Sequence, residues 1–225
     1  MKNPLVSIVL IVRNGERFLD LAIQSVMAQT YRPTELIVVD GNSTDRTAEI
    51  IQSYPEIRYL LQVNLGIARA YNQGIDAARG DLIAFMSHDD LWSPEKLALQ
   101  TYALFDRKAD YVVCKVQYFL EPGLPPPPGF RRELFEKDVP AFLAETLLAH
   151  KSLFSRIGKF DPRLSTAEDV DFFARANDFG ARGYVVQKVL VDKRVHDSNI
   201  SLLSKENDRN LLALLRESIH RKQDK

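Results

Sequence analysis

Apolar positions in the first hundred residues follow two alternating rhythms. Leu5-Val-Ser-Ile-Val-Leu-Ile-Val12 is a near-continuous β-branched run, the pattern of a strand covered on both faces. Phe18, Leu21, Ala22, Ser25 and Val26 then fall at helical spacing. The alternation continues with Leu36–Val39 as a short buried strand and Thr44–Ser53 as a helix carrying Ala48 and Ile51. Ile57–Leu61 and Gly66–Ala78 form the next strand and helix, and Asp81–Met86 a fourth strand. Ser93-Pro94-Glu95 opens a further helix, with serine as cap, proline at the first helical position and acid in the first turn. Strand and helix alternating at this pitch predict an α/β fold with a doubly wound, mostly parallel sheet and helices on both faces.

Beyond residue 110 the rhythm changes. Tyr111–Leu120 reads as a long strand. Pro122–Gly129 contains Pro125-Pro-Pro-Pro128, which cannot join a helix or a central strand and predicts an extended surface loop. Asp138–Leu148, Ser152–Ile157 and Glu168–Phe179 read as helical in whole or part, and Tyr184–Val191 as a final strand. Leu202–Arg221 reads as a polar, leucine-rich C-terminal helix, expected to pack on the domain or on a twin subunit in a homodimer. Its basic end (Arg216, His220, Arg221, Lys222) is the candidate for peripheral contact with a membrane surface. No internal repeat or linker interrupts the chain, so a single domain over residues 1–225 is expected.

Composition narrows the class. The 225 residues are 45% hydrophobic and 27% charged, a globular balance. Lys+Arg and Asp+Glu both number 30, so nothing favours bulk electrostatic capture of nucleic acid or anionic lipid. Cys114 is the one cysteine, which excludes an internal disulfide and fits a reducing compartment. No segment approaches the roughly 18 apolar residues of a spanning helix. The N-terminal apolar run is broken by Ser7 and followed at once by Arg13 and Asn14, so it reads as a strand and not a secretion signal. The expectation is a soluble, cytoplasmic protein.

Candidate chemistry gathers at turns. The run Leu82–Met86 ends abruptly in Ser87, His88, Asp89 and Asp90. Side-by-side carboxylates at a strand tip need a divalent cation, a basic neighbour or a shared proton. In an open α/β sheet that tip is also where ligands bind. In Val38-Val-Asp-Gly-Asn-Ser-Thr-Asp45, Asp40 either anchors a capped turn or accepts hydrogen bonds from a base or ribose. Asn64-Leu-Gly-Ile-Ala-Arg69 opens a helix whose glycine-led N-terminus attracts anions, with Arg69 and Asn72 about one turn apart. Thr166-Ala-Glu-Asp169 matches a capping box and also presents two acids at a helix start. Arg194-Val-His196 brings two donors to one face of an extended segment, and Trp92 is either a stacking platform for a sugar or a rim residue.

In this order, the Asp40 turn, the Asn64-x-Gly helix start, Gly80-Asp81 with its strand and Ser-His-Asp-Asp-x-Trp-x-Pro94, and Glu168-Asp169 resemble the family 2 glycosyltransferases of the GT-A fold. The resemblance spans roughly residues 4 to 200 and includes Arg156-Ile-Gly-Lys-Phe-Asp-Pro-Arg-Leu164. It implies inverting transfer of a sugar from a nucleotide-diphosphate sugar, a UDP-sugar first, to a hydroxyl of a glycan, lipid-linked or protein acceptor, as in polysaccharide biosynthesis. It implies a nucleotide-binding half up to about residue 110 and an acceptor and catalytic half over about 111–200. Asp40, Asn64 and Arg69 would serve the donor. The family's Asp-x-Asp maps onto Ser87-His88-Asp89, with Asp89 on Mg²⁺ or Mn²⁺ and Ser87 and Asp90 supporting the donor. Asp169 would be the catalytic base, with Glu168 as the alternative, while Arg194 and His196 would reach the diphosphate or the metal. Ser87 departs from the pattern: its hydroxyl carries no charge, which weakens the cation site and raises the alternative of a catalytically impaired nucleotide-sugar-binding module. A nucleotidyltransferase is disfavoured, because Val12-Arg-Asn-Gly-Glu-Arg17 has one glycine where a phosphate loop would want several.

Overall fold

The β-branched runs of the first half lie side by side. In the computed structural model, which describes residues 3–127, 130–197 and 199, β1 (Val6–Val12) sits between β2 (Thr34–Asp40) and β4 (Leu82–Ser87). β3 (Arg58–Leu61) lies outside β2, and all three pairings are parallel. Burial on both faces explains the apolar runs of β1, β2 and β4, whereas β3 at the edge is only partly buried. Ile8 and Leu10 face a cluster built with α1 (Leu19–Met27), α2 (Thr47–Gln52) and α4 (Lys96–Asp106). Val9 faces the opposite cluster, built with α3 (Ile67–Ala77), α5 (Lys151–Ile157) and α6 (Glu168–Asp178). α3 crosses β1 so closely at Gly74 that a Cβ there would lie 2.2 Å from Val9 Cγ1.

The second half extends the same sheet. β6 (Tyr111–Leu120) pairs in parallel with β9 (Gly183–Val195), with irregular register between Cys114 and Val116. β8 (Leu148–His150) lies antiparallel between β4 and β6. β5 (Leu91–Trp92) pairs with β9, and β7 (Val139–Pro140) with β6. The long ladders are parallel and the antiparallel ones short, so the expected mostly parallel sheet is found in the order β3-β2-β1-β4-β8-β6-β9-β5.

Four expectations change. α4 begins at Lys96 after Glu95 with no side-chain cap, so Ser93 is not its cap and Pro94 is not its first residue. The segment Asp138–Leu148 is not a helix but β7, a 3-10 turn over Ala144–Thr146 and the start of β8. Pro140 removes a backbone donor, and Thr146 Oγ1 donates toward Ala141 O (2.7 Å) and Leu143 O (2.8 Å), offering the backbone a turn instead of a helix. α2 starts at Thr47, because Asp45 accepts from the Thr47 N–H (3.0 Å) and hydroxyl (2.5 Å) while Asn14 Oδ1 accepts the Thr44 N–H (2.9 Å). β9 continues to Val195, so Arg194 lies within a strand. The helix expected over Leu202–Arg221, with its membrane and subunit contacts, lies outside the described residues. No helix among the described residues is long and apolar enough to cross a membrane.

Candidate active site

Parallel register brings the candidate acids to one edge. Val12 lies opposite Asp40, and Ile11 opposite Ser87, so β1, β2 and β4 end nearly level. The tips of β2 and β4 are two strand spacings apart, about 10 Å.

At the β4 tip each aspartate has its own counter-group, supplied by β9 and the turn beyond it. Asp89 Oδ2 faces His196 Nε2 at 3.0 Å and accepts from Asn199 Nδ2 at 3.2 Å, while Oδ1 accepts from the Ser87 hydroxyl at 2.5 Å. Burial alone would raise the Asp89 pKa; the His196 bond, with His88, Lys193 and Ser87, outweighs it and holds the carboxyl well below the usual range. Asp90 Oδ2 accepts from Lys193 Nζ at 2.9 Å, and Oδ1 from the Arg194 backbone N–H at 3.0 Å. Lys193 Nζ also lies 3.6 Å from Glu145 of the 3-10 turn. Burial would discharge this lysine, but Asp90, Glu145 and Asp89 outweigh burial and hold it charged.

Arg194 does something else than its sequence position suggested. It is 6% exposed, with its guanidinium 4.6 Å from the ring centres of both Phe18 and Phe119. Its Nε–H donates to Asp89 O at 3.0 Å and its terminal nitrogen pairs with Glu121. It braces the Asp89–Asp90 turn. Trp92 is likewise sealed, 4% exposed beneath the Lys96 ammonium, 3.9 Å from its ring centre, and offers no stacking platform.

The second acidic group opens α6. Ala167, at φ 65°, is the residue before the helix, and its position offers no side-chain cap. Glu168 and Asp169 occupy the first helical turn, the latter accepting the Val170 N–H at 2.7 Å. Burial and then the charge of Asp169 push Glu168 up to about 8. Burial and then Glu145 push Asp169 up to about 6, against a smaller lowering by Lys193. The fields of Glu145, Glu168, Asp169 and Asp90 all reach the buried Tyr71 of α3, so these acids surround one region.

On the β2 side Asp40 is 1% exposed and bonded to its own turn and to β3. It accepts from the Ser43 N–H (2.9 Å), the Ser43 hydroxyl (2.6 Å) and the Tyr59 hydroxyl (2.8 Å), and burial and Asp40 together push Tyr59 up to about 12. Asn64 and Arg69 are exposed and line a shallow opening of about 410 Å³ with Val63, Gln73 and Asp76. That lining includes none of Asp40, Asp89 and Asp169. The structure thus joins Ser87, Asp89, Asp90 and His196 directly and couples them to Glu168 and Asp169 through Lys193 and Glu145. Asp40 stands at the same sheet edge, with Asn64 and Arg69 apart.

Lys193, Glu145, Glu121 and Asn199 were missed in the sequence. The one available signal was strand alternation: neighbours on β9 point to opposite faces, so with Arg194 turned to Phe18, Lys193 must turn to the acids. No group of three or more His, Cys, Asp or Glu side chains suited to a metal occurs among the described residues. The convergence of Asp89 Oδ2 and His196 Nε2 still offers one carboxylate and one imidazole, a partial donor set that a diphosphate's oxygens would complete.

A nine-stranded sheet of this order, with acids at the β4 tip and a Glu-Asp pair opening a helix beside it, is the GT-A type of fold. The sequence profile described as Glycosyl transferase family 2 matches residues 7–161, and the chain belongs to that family. It is 34% identical over 216 residues to an uncharacterized glycosyltransferase of Rickettsia typhi, covering 87% of this chain and 65% of that protein. It therefore spans just under two thirds of that relative's length. A putative teichuronic acid biosynthesis glycosyltransferase of Bacillus subtilis, TuaG, is 31% identical over 127 residues, 54% of this chain and 50% of that protein. Among solved structures, S. aureus TarS 1-349 in complex with UDP-GlcNAc superposes with a TM-score of 0.76 at 19% identity, over 96% of this chain and 66% of that one. The mannosyltransferase PcManGT from Pyrobaculum calidifontis, in complex with GDP-Man and Mn²⁺, gives 0.76 at 18% identity, over 97% and 65%.

Proposed function

We propose that this chain transfers a sugar, with inversion, from a nucleotide-diphosphate sugar to an acceptor hydroxyl. The observation that carries this reading is the link Asp90–Lys193–Glu145, which ties the acids of the β4 tip to the Glu168–Asp169 pair. The UDP-GlcNAc bound by TarS makes a UDP-sugar the first donor to try, and the name of TuaG makes a polysaccharide the first acceptor class.

Asp169 is the base in this reading. A carboxylate at about 6 is ionised at neutral pH yet basic enough to take a proton, whereas Glu168 at about 8 keeps its own. As the acceptor oxygen bonds to the anomeric carbon, its proton goes to Asp169, and the electron pair of the breaking bond leaves with the diphosphate on the opposite face. Asp89 and His196 would hold a Mg²⁺ or Mn²⁺, whose contribution when bound is positive charge for the diphosphate. Asp40, Asn64 and Arg69 belong to the nucleoside end, where Asp40 acts by fixing the β2 turn.

The test is release of UDP from UDP-sugars by purified protein, with and without Mn²⁺ and a glycan acceptor. Absence of both nucleotide binding and turnover would sink the reading. Ser87 favours a second reading, a nucleotide-sugar-binding module without transfer, since its hydroxyl is spent on Asp89 and adds no charge. Tight UDP binding with no turnover on any donor would select it.

A further inference from the structure

We propose that Lys193, anchored on Asp90, is the donor-binding cation that meets the sugar-bearing phosphate, and that Glu145 is the anion it turns away from when the phosphate arrives. This rests on the sugar-transfer reading. Asp89, Asp90, Glu145 and Asp169 place several carboxyl groups in one region, and a nucleotide diphosphate arrives with negative charge of its own. Like charges brought together in a partly buried site repel strongly, so a cation provided by the chain, beside any metal ion on Asp89 and His196, favours the approach.

β9 and the residue after it bring three candidates. Arg194 is closed off between Phe18 and Phe119 and committed to Glu121 and Asp89 O. His196 is 3% exposed and turned onto Asp89. The Lys193 side chain is 20% exposed, and among the described residues Asp90 takes one hydrogen bond from its three N–H donors. Glu145 attracts it from 3.6 Å, beyond hydrogen-bond distance. A lysine ammonium is a compact charge on a flexible stem. It can keep Asp90 and turn a remaining N–H from Glu145 toward a phosphate oxygen. Its ammonium lies between Asp90 of the β4 tip and Glu145, on the side of the sheet where the sugar-transfer reading seats the diphosphate.

The experiment compares binding of UDP and of UMP, in Mn²⁺ and in EDTA, by wild type, Lys193→Met and Glu145→Gln. UDP carries the second phosphate and UMP does not. Wild type should prefer UDP, and Lys193→Met should lose about ten- to hundredfold in UDP affinity while UMP affinity stays within about twofold. Equal loss for both nucleotides, or loss for neither, overturns the proposal, as does a wild type that binds UMP as well as UDP. If wild type binds no nucleotide at all, the sugar-transfer reading has failed instead. Lys193→Met leaves Asp90 buried without its partner, so it is first checked by thermal melting. Should it not fold, Glu145→Gln decides: UDP affinity equal to or above wild type supports the proposal, and weaker UDP binding overturns it.

Discussion

Asp89 and Asp90 are adjacent in sequence but held by different partners. Asp89 answers to His196, Asn199 and Ser87, Asp90 to Lys193 and the Arg194 backbone. Across the site their environments set Glu168 and Asp169 apart, at about 8 and about 6. Asp169→Asn should lower turnover by about 10²- to 10⁴-fold and leave UDP affinity within a few-fold, measured by steady-state kinetics beside calorimetry. In wild type, the acid limb of kcat/KM against pH should centre near 6 and vanish from the residual rate of the variant. Glu168 bears on stability. Its folded pKa of about 8 lies above the ordinary 4.5, so the folded state holds this proton more tightly. The stabilisation is complete below about pH 4.5 and is lost as pH rises through 8. Glu168→Gln removes that dependence and should exceed wild type at pH 9 by up to about 5 kcal/mol, at about 1.4 kcal/mol per pH unit between 4.5 and 8, with a much smaller difference at pH 4, in urea melts at the two pH values.

Among the elements, α3 is the one whose placement depends on a missing side chain. Gly74→Ala puts a methyl against the rigid, buried Val9, so despite alanine's better helix propensity we expect a loss of about 1–3 kcal/mol by thermal melting. Asn72, two residues earlier, clamps the Phe160 backbone from both sides, donating to its carbonyl (2.8 Å) and accepting its N–H (3.1 Å). α3 thereby fastens the segment leading to α6 onto the first half. Much of this was legible in the sequence, since strands buried on both faces announce themselves as apolar runs and Gly and Pro mark their ends. β8 was not, because three residues are too short for a period and its apolar members fit a helix equally well. The acids at the β4 tip and the α6 start were legible as clusters. Their counter-groups were not, because Lys193 and Glu145 meet only through pairings distant in sequence, and burial between two rings gave Arg194 a bracing role that its charge did not announce.

For the molecule as a whole, a ligand that binds only the native state stabilises all of it. UDP with Mn²⁺ at a hundred times its Kd should add about 2.7 kcal/mol and raise Tm by roughly 5–11 °C, read by scanning fluorimetry. A Tm unmoved by saturating UDP and GDP would count against a nucleotide site. The sheet itself constrains recombination within this family. Leu148–His150 comes from the second half, yet it closes the flank of β4 and links it to β6. A chimera that grafts a foreign acceptor portion at the Pro-rich loop must import a matching replacement for those three residues. A graft whose junction falls after His150 keeps the native seam intact and should be the one that stays monodisperse.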